Sequence, residues 1–247
     1  MEQIGVSINK YISETGFCSR RKADEFIEMG RITINGKEAR KGNRVEENDV
    51  VKVDGQSLKK KIEPVYLMLN KPKGITCTTD LKDKANIIEF IKYKSRIFPI
   101  GRLDKPSEGL IFLTNDGDIV NKILRAGNGH EKEYVVTVDK SIKIDFVKSM
   151  GNGISILGAI TKKCFVKQEG EKQFRIILTQ GLNRQIRRMC AALGYKVTSL
   201  TRVRIMNITL GGLPKGKWRY FSTEEMAEVN RMISKSSKIA GDEGMGE

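Results

Sequence analysis

The chain has 247 residues, 39% of them hydrophobic, with 45 Lys and Arg against 30 Asp and Glu, a formal net charge of +15 and a pI of about 9.6. That length admits one large domain or two unequal ones with a real core, and the basic excess selects a polyanionic partner, bound by neutralising phosphates and releasing counterions. No apolar run approaches the roughly 18 residues that span a bilayer, Met1 to Ile4 do not open a secretion signal, and Cys18, Cys77, Cys164 and Cys190 lie far apart with no Cys-x-x-Cys pair, so a cytoplasmic protein with reduced thiols is expected, with no membrane, disulfide or zinc framework. His130 is the only histidine; an imidazole-rich metal site has nothing to be built from, and a Ser-His-Asp system is not expected.

In chain order, Ile8, Tyr11 and Ile12 fall at helical spacing and Gly16 interrupts them. Ser19 is a good N-cap for a second helix with Ala23, Phe26 and Ile27 on one side, closed by Gly30. Arg31 to Ile34 turns extended, Asn35-Gly36 is a strong hairpin signal, and Val50 to Val53 is a strand ended by Asp54-Gly55. Arg20, Arg21 and Lys22 occupy the first turn of the second helix. Cations oppose the helix dipole there, which points to use with the free amide N–H groups as a phosphate grip. Two helices followed by a small hairpin sheet resemble an S4 RNA-binding domain, here residues 6–55. The resemblance puts RNA contacts at Arg20, Arg21, Lys22, Arg31 and Lys37. The charged, Pro-terminated stretch 56–64 reads as a linker.

From Val65 the pattern mixes strands and helices. Val65 to Leu69 is an apolar strand that runs into a basic turn, Asn70-Lys71-Pro72-Lys73-Gly74. Ile97 to Ile100 and Leu110 to Leu113 are strands, and Asp116 opens a helix carrying Ile119, Val120, Ile123 and Leu124. Tyr134 to Val138 and the alternating Phe174, Ile176 and Leu178 are strands, as are Thr201 to Thr209 and Trp218 to Phe221. Ser222-Thr223-Glu224-Glu225 is a capping box for the last helix. Strands that do not alternate regularly with helices predict an α+β fold with a mostly antiparallel sheet over 65–235, and the polar Gly-rich tail 236–247 predicts disorder.

Between two of these strands lies Gly101-Arg102-Leu103-Asp104-Lys105-Pro106-Ser107-Glu108-Gly109-Leu110. It holds one carboxylate in a Gly/Pro turn at a strand end, rigidly supported and open to a substrate. Gly-Arg-Leu-Asp-x-x-Ser-x-Gly-Leu is similar to the catalytic motif of the pseudouridine synthases of the small-subunit rRNA type. The resemblance implies a bent antiparallel sheet crossed by a cleft, with Asp104 as nucleophile. Lys132-Glu133-Tyr134 matches the family's Lys-x-Tyr, which implies an active-site role for Tyr134. In Gln180 to Met189, the Ile-Arg pair implies an apolar contact to the base from Ile186 and an arginine, Arg187, paired with Asp104; Arg184 stands as the alternative. On a helix Arg184, Arg187 and Arg188 would share one face and Ile186, Met189, Cys190 and Leu193 the other, which sets Ile186 at odds with that role. Arg188, Arg102, Lys105, Lys71 and Lys73 are candidates for phosphate.

Asn121 to Tyr134, Ile156-Leu157-Gly158, Thr161 to Cys164 and Gly181 to Ile186 resemble the F subfamily of large-subunit rRNA synthases. That implies a uridine of 23S rRNA as target (nominally 2604), with a tRNA as a second substrate, on naked RNA or on an assembly intermediate. The isomerisation gains and loses no atoms, so no cofactor and no metal is expected, and the protein is expected to be a monomer. The competing reading is an S4-containing RNA-binding or ribosome-assembly factor without catalysis; intact Asp104, Tyr134 and Arg187 count against it.

Overall fold

A computed structural model of the protein describes residues 5–58 and 62–236. The N-terminal residues Met1 to Ile4, the linker residues Lys59 to Lys61 and the tail from residue 237 lie outside the described residues. The chain divides into two compact units, Met1–Pro64 with Lys94–Arg96, and Val65–Tyr93 with Ile97–Glu247.

In the small unit β1 (Val6–Ser7) leads into α1 (Ile8–Glu14), whose Ile8 and Ile12 are buried. Ser19 caps α2 (Arg20–Glu28) by accepting from the Lys22 amide at 3.2 Å. Ala23 and Ile27 face inward, leaving Arg20, Arg21 and Lys22 in solvent. The strands β2 (Ile32–Ile34) and β3 (Lys37–Glu38) are joined through Asn35 and Gly36, with φ of 51° and 79°. Both residues are left-handed, as a two-residue hairpin of the matching twist requires. β4 (Arg44–Val45) pairs with β1. β5 (Val51–Val53) pairs with β2 and with β6 (Gln56–Ser57), so the first two residues read as linker belong to the small sheet.

The large unit supplies β7 (Tyr66–Lys71), α3 (Ile87–Ile91), β8 (Phe98–Ile100), β9 (Glu108–Thr114) and α4 (Gly117–Leu124). It continues with β10 (Lys132–Val138), α5 (Ile144–Asn152), the hairpin of β11 (Ser155–Ile156) and β12 (Ala159–Ile160), β13 (Phe165–Gly170) and β14 (Gln173–Leu178). Then come α6 (Gln185–Ala192), β15 (Val197–Ile205), β16 (Ile208–Thr209), β17 (Trp218–Tyr220) and α7 (Thr223–Ile233), which begins on the expected capping box at Ser222 and Glu225. Among the described residues one nine-stranded sheet runs β13-β14-β10-β15-β9-β7-β17, with β16 on β15 and β8 on β9. Thr201 to Thr209 is not one strand: Met206, at φ 53°, turns the chain so that β16 folds back on β15.

Alternation along the strands sorts the core. Leu67, Leu69, Ile111 and Leu113 point to one face, under Ile87 and Ile91 of α3. Met68, Leu110 and Phe112 point to the other, under Ile119 and Ile123 of α4 and Val229 and Ile233 of α7. Val136, Phe174, Ile176 and Leu178 pack with Phe146 and Met150 of α5 and with Ile186, Met189 and Cys190 of α6.

The two halves of the sheet meet at β9 and β15, the parallel ladder, where Thr201 pairs with Glu108 and Arg202 with Gly109. Gly109 has φ +105°, and a Cβ there would stand 2.2 Å from the Arg202 carbonyl oxygen. The motif therefore ends on a glycine because strand β15 occupies the space of a side chain. Gly109→Ala is expected to lower unfolding free energy by on the order of 3 kcal/mol or more, from strain plus displacement of the seam. A urea-unfolding midpoint within experimental error of the parent's contradicts this account of the seam.

Candidate active site

The turn between β8 and β9 carries the carboxylate. Gly101 enters it at φ +77°, where a Cβ would come within 2.9 Å of Leu124 Cδ2. Leu103 is buried against the core, and the Ser107 amide donates to the Asp104 carbonyl at 2.9 Å, closing the turn. From below, the loop after β7 braces it: the Gly74 amide donates to the Lys105 carbonyl at 2.8 Å and the Leu103 amide points at Cys77 Sγ at 3.4 Å.

That loop is itself held by Lys71, and here the structure corrects the sequence reading. Lys71 is fully buried, with Nζ donating to the carbonyls of Pro72 and Ile75 at 2.9 Å each. Burial pulls its pKa below the ordinary lysine value, while negative charge at Cys77, Glu108 and Asp104 acts the other way. An enclosed ammonium has no access to phosphate; it is a strut under the Asp104 turn. Lys71→Met is expected to cost about 2 kcal/mol of stability by stranding two carbonyls. It should lower turnover without changing the salt dependence of RNA binding. A shallower salt slope in the variant places this ammonium on phosphate instead.

Asp104 faces a cleft, with its side chain 30% exposed. Two guanidiniums approach the same oxygen, Oδ2: Arg187 Nε at 3.5 Å and Arg184 Nη1 at 3.6 Å. They are unlike. Arg187 is 14% exposed and fixed, its Nη2 donating to Ser107 Oγ at 3.0 Å and its Nη1 to the Val197 carbonyl at 3.4 Å. Its Nε is buried and makes no hydrogen bond, so the Asp104 carboxylate is the counter-charge it has. Arg184 is 47% exposed and sits at φ 51° before α6 begins.

The single cationic helix face does not form, because α6 starts at Gln185 and leaves Arg184 outside it. Arg188 turns back to Asn183, donating to its carbonyl at 3.0 Å and to Oδ1 at 3.2 Å. The conflict over Ile186 also dissolves. Its side chain is 5% exposed, packs with Met189 and Cys190, and forms part of the cleft wall, so one face serves both core and site.

Tyr134 lies across the cleft on β10, half-buried and packed against two of the core clusters. The ladder to β15 slips there: Glu133 pairs with Arg204 and Tyr134 with Arg202. Such a bulge twists the strand locally and re-aims a side chain. Tyr134, Leu178, Ile186 and Leu200 give the cleft apolar walls, and Asp104 with its arginines gives it one charged end. The cleft is open on one side and its cavity holds about 90 Å³. A slot of this kind accepts a flat, uncharged heterocycle and offers it a carboxylate.

Arg102, Lys105 and Lys73 are exposed around the turn, and Arg102 borders the cleft. In the small unit Arg20, Arg21 and Lys37 are exposed and have no carboxylate partner among the described residues. Two others depart from the expectation of free cations. Lys22 pairs with Glu25 at 2.6 Å. Arg31 clasps Asp54 through Nε (2.9 Å) and Nη2 (2.5 Å), its guanidinium 4.2 Å from the Phe26 ring centroid. Its charge is committed to the hairpin. Sequence reasoning gave no role to Ser107, Gly109 or Cys77; Ser107 and Gly109 stand in the motif, but their partners Arg187 and Arg202 lie far along the chain.

Together these features define a class, a basic protein with a carboxylate-bearing cleft fit for a flat heterocycle and a separate small module. Comparison with known proteins is specific. The family described as RNA pseudouridylate synthase matches residues 65–192, and the S4 domain matches residues 6–51. The chain is 55% identical over 238 residues to the dual-specificity RNA pseudouridine synthase RluF of Escherichia coli (strain K12), covering 94% of this chain and 81% of that one. It is 34% identical over 234 residues to the ribosomal large subunit pseudouridine synthase B of Bacillus subtilis (strain 168), covering 91% and 96%. A solved structure, the crystal structure of pseudouridylate synthase, aligns with a TM-score of 0.66 at 27% identity over 92% of this chain and 100% of the other. The chain belongs to the RNA pseudouridylate synthase family, and it converts uridine to pseudouridine in RNA. The expected α+β fold with an N-terminal S4 domain is the fold observed. Among the described residues no helix is long and apolar enough to cross a membrane.

Proposed function

We propose that Asp104 is the nucleophile with which this enzyme isomerises one uridine of 23S rRNA, at the subfamily's nominal position 2604, with a tRNA as a second substrate. The observation that supports the nucleophile is the placement of a half-exposed carboxylate at the charged end of an apolar slot, with both Arg187 and Arg184 on Oδ2. The large-subunit assignment is supported by similarity to a relative named as a ribosomal large subunit synthase, and a second substrate by similarity to one named as dual-specificity.

The reaction breaks the C1′–N1 glycosidic bond, turns the uracil and joins C1′ to C5; the proton lost from C5 is matched by one gained at N1, so atoms and charge balance without a donor. The base must leave its stack, at a cost of a few kcal/mol in a duplex and less in a loop. Once seated, it displaces water from Asp104. The fixed guanidinium of Arg187 then supplies the charge-assisted contact that water gave up, which keeps the carboxylate anionic for attack. Ile186 and Tyr134 hold the two sides of the ring, and either the Tyr134 hydroxyl or a water on Asp104 takes the C5 proton. Arg102, Lys105, Lys73 and Arg188 neutralise neighbouring phosphates, while Arg20, Arg21 and Lys37 of the S4 domain tether the RNA and raise its effective concentration.

Tritium release from RNA labelled at C5 of uracil measures the chemistry, and mapping pseudouridine in 23S rRNA and tRNA from cells with and without the gene locates it. A map in which no 23S position changes refutes the assigned substrate; RNA bound without tritium release refutes the catalytic reading in favour of an assembly factor.

A further inference from the structure

In the large unit, the terminal strand β17 carries a group of aromatic rings that the reaction does not use. Trp218 and Tyr220 alternate onto one face of this edge strand, opposite Leu69 and Leu67 of β7. Tyr93, just after α3, completes the group. Its ring centroid lies 5.9 Å from that of Trp218 and 6.4 Å from that of Tyr220, and Trp218 and Tyr220 are 5.7 Å apart. All three pairs are edge-on, and the Tyr93 and Tyr220 hydroxyls meet at 3.0 Å. This packing fixes the rings, yet Tyr220 is 51% exposed and nearby Phe90 38%.

The surroundings are cationic. Lys92, Lys215 and Lys217 are exposed, and Lys92 and Lys217 have no carboxylate partner among the described residues. Lys215 reaches Glu108, the residue after Ser107, at 2.8 Å. Asn70 exchanges backbone hydrogen bonds with Gly216 and Lys217 at 2.7 and 3.0 Å. The segment thus starts beside the Asp104 turn, bends at Lys215 and Gly216, and runs outward as the strand Trp218–Tyr220. Between Trp218 and Tyr220, Arg219 is held by Glu225; packed, partly exposed rings flanked by lysines are the chemistry that binds unpaired nucleotides, by stacking on any base and neutralising its phosphate.

We propose that Tyr93, Trp218 and Tyr220 form a ledge on which unpaired bases flanking the target uridine stack, with Lys215 and Lys217 on the intervening phosphates. The ledge rests on RNA being the substrate and extends the contact beyond the cleft. Rings on an edge strand can also serve only to cover the sheet edge, so the test separates a ring from mere apolar bulk.

Trp218 is the only tryptophan in the chain, so its emission reports on the ledge alone. The full chain is titrated with a short single-stranded oligouridylate and, separately, with an RNA duplex of equal length, while anisotropy of labelled RNA reports total binding. The oligouridylate is expected to quench Trp218 saturably and the duplex is not. Tyr220→Phe should leave the quenching midpoint in place, and Tyr220→Leu should raise it by about 5- to 100-fold with an unchanged thermal midpoint. Unchanged emission while anisotropy shows binding, equal quenching by duplex, or a Leu variant that titrates like the parent overturns the ledge. Absence of tritium release from the parent protein is a separate result that would undo the functional reading and not this one.

Discussion

Asp104→Asn binds RNA as the parent does and releases tritium at least on the order of 10⁴-fold more slowly, the scale seen when a nucleophile is removed from a working set. The substitution is nearly isosteric, and the turn does not depend on the carboxylate: its closing hydrogen bond runs from the Ser107 amide to the Asp104 main-chain carbonyl. The bracing bonds from Gly74 and Leu103 also avoid the side chain. What is lost is the anion. A neutral amide cannot attack, and it leaves the buried Arg187 Nε without its counter-charge. A modest loss of stability, about 1–3 kcal/mol, therefore accompanies the loss of chemistry. Single-turnover assays with RNA labelled at C5, run beside a binding isotherm, check both halves. Appreciable turnover by the amide variant removes Asp104 from the role of nucleophile, and a parallel collapse of RNA binding makes it a ligand for the substrate instead.

The parts of this site legible in the sequence are those with local causes. The Gly101–Leu110 turn, the Ser19 cap, the Asn35-Gly36 hairpin and the Ser222 capping box each encode their geometry within a few residues, and each is found. Alternation revealed β14 because its inward Phe174, Ile176 and Leu178 are strictly spaced. It was silent on β13, an edge strand whose residues are mostly exposed and need no pattern. The charge reading failed for a different reason. A lysine in a basic turn looks the same whether it meets phosphate or, as Lys71 does, two carbonyls in the interior; only the closing of the loop over it decides. Arg31 pairs with Asp54 across a hairpin sheet, a partner that the local sequence around Arg31 does not reveal. Ser107 and Gly109 were visible as motif letters, but their reasons are Arg187 and Arg202, which only the parallel ladder between β9 and β15 brings near. That ladder joins residues 93 apart in the chain, and the site is assembled on it.

The two arginines on Asp104 are not expected to be equivalent. Arg187→Met should lower the single-turnover rate by about 10²- to 10³-fold, the range for removing one preorganised charge partner from a reacting group, with a small change in RNA affinity. Arg184→Met should cost about ten-fold, because a guanidinium nearly half exposed is screened by water and held by nothing else. The difference follows from anchorage: Ser107 Oγ and the Val197 carbonyl fix Arg187 before substrate arrives, so no ordering is required in the transition state. Two further variants separate charge from geometry. Arg187→Lys keeps the charge but cannot reach Ser107, Val197 and Asp104 together, since an ammonium lacks the planar fork, and should recover only part of the lost rate. Ser107→Ala leaves the charge intact and removes one anchor, and should fall between the parent and Arg187→Lys. If Arg184→Met proves the more damaging of the two methionine variants, the exposed arginine is the one that closes on the carboxylate when RNA binds, and the fixed guanidinium serves only to hold β9 to α6.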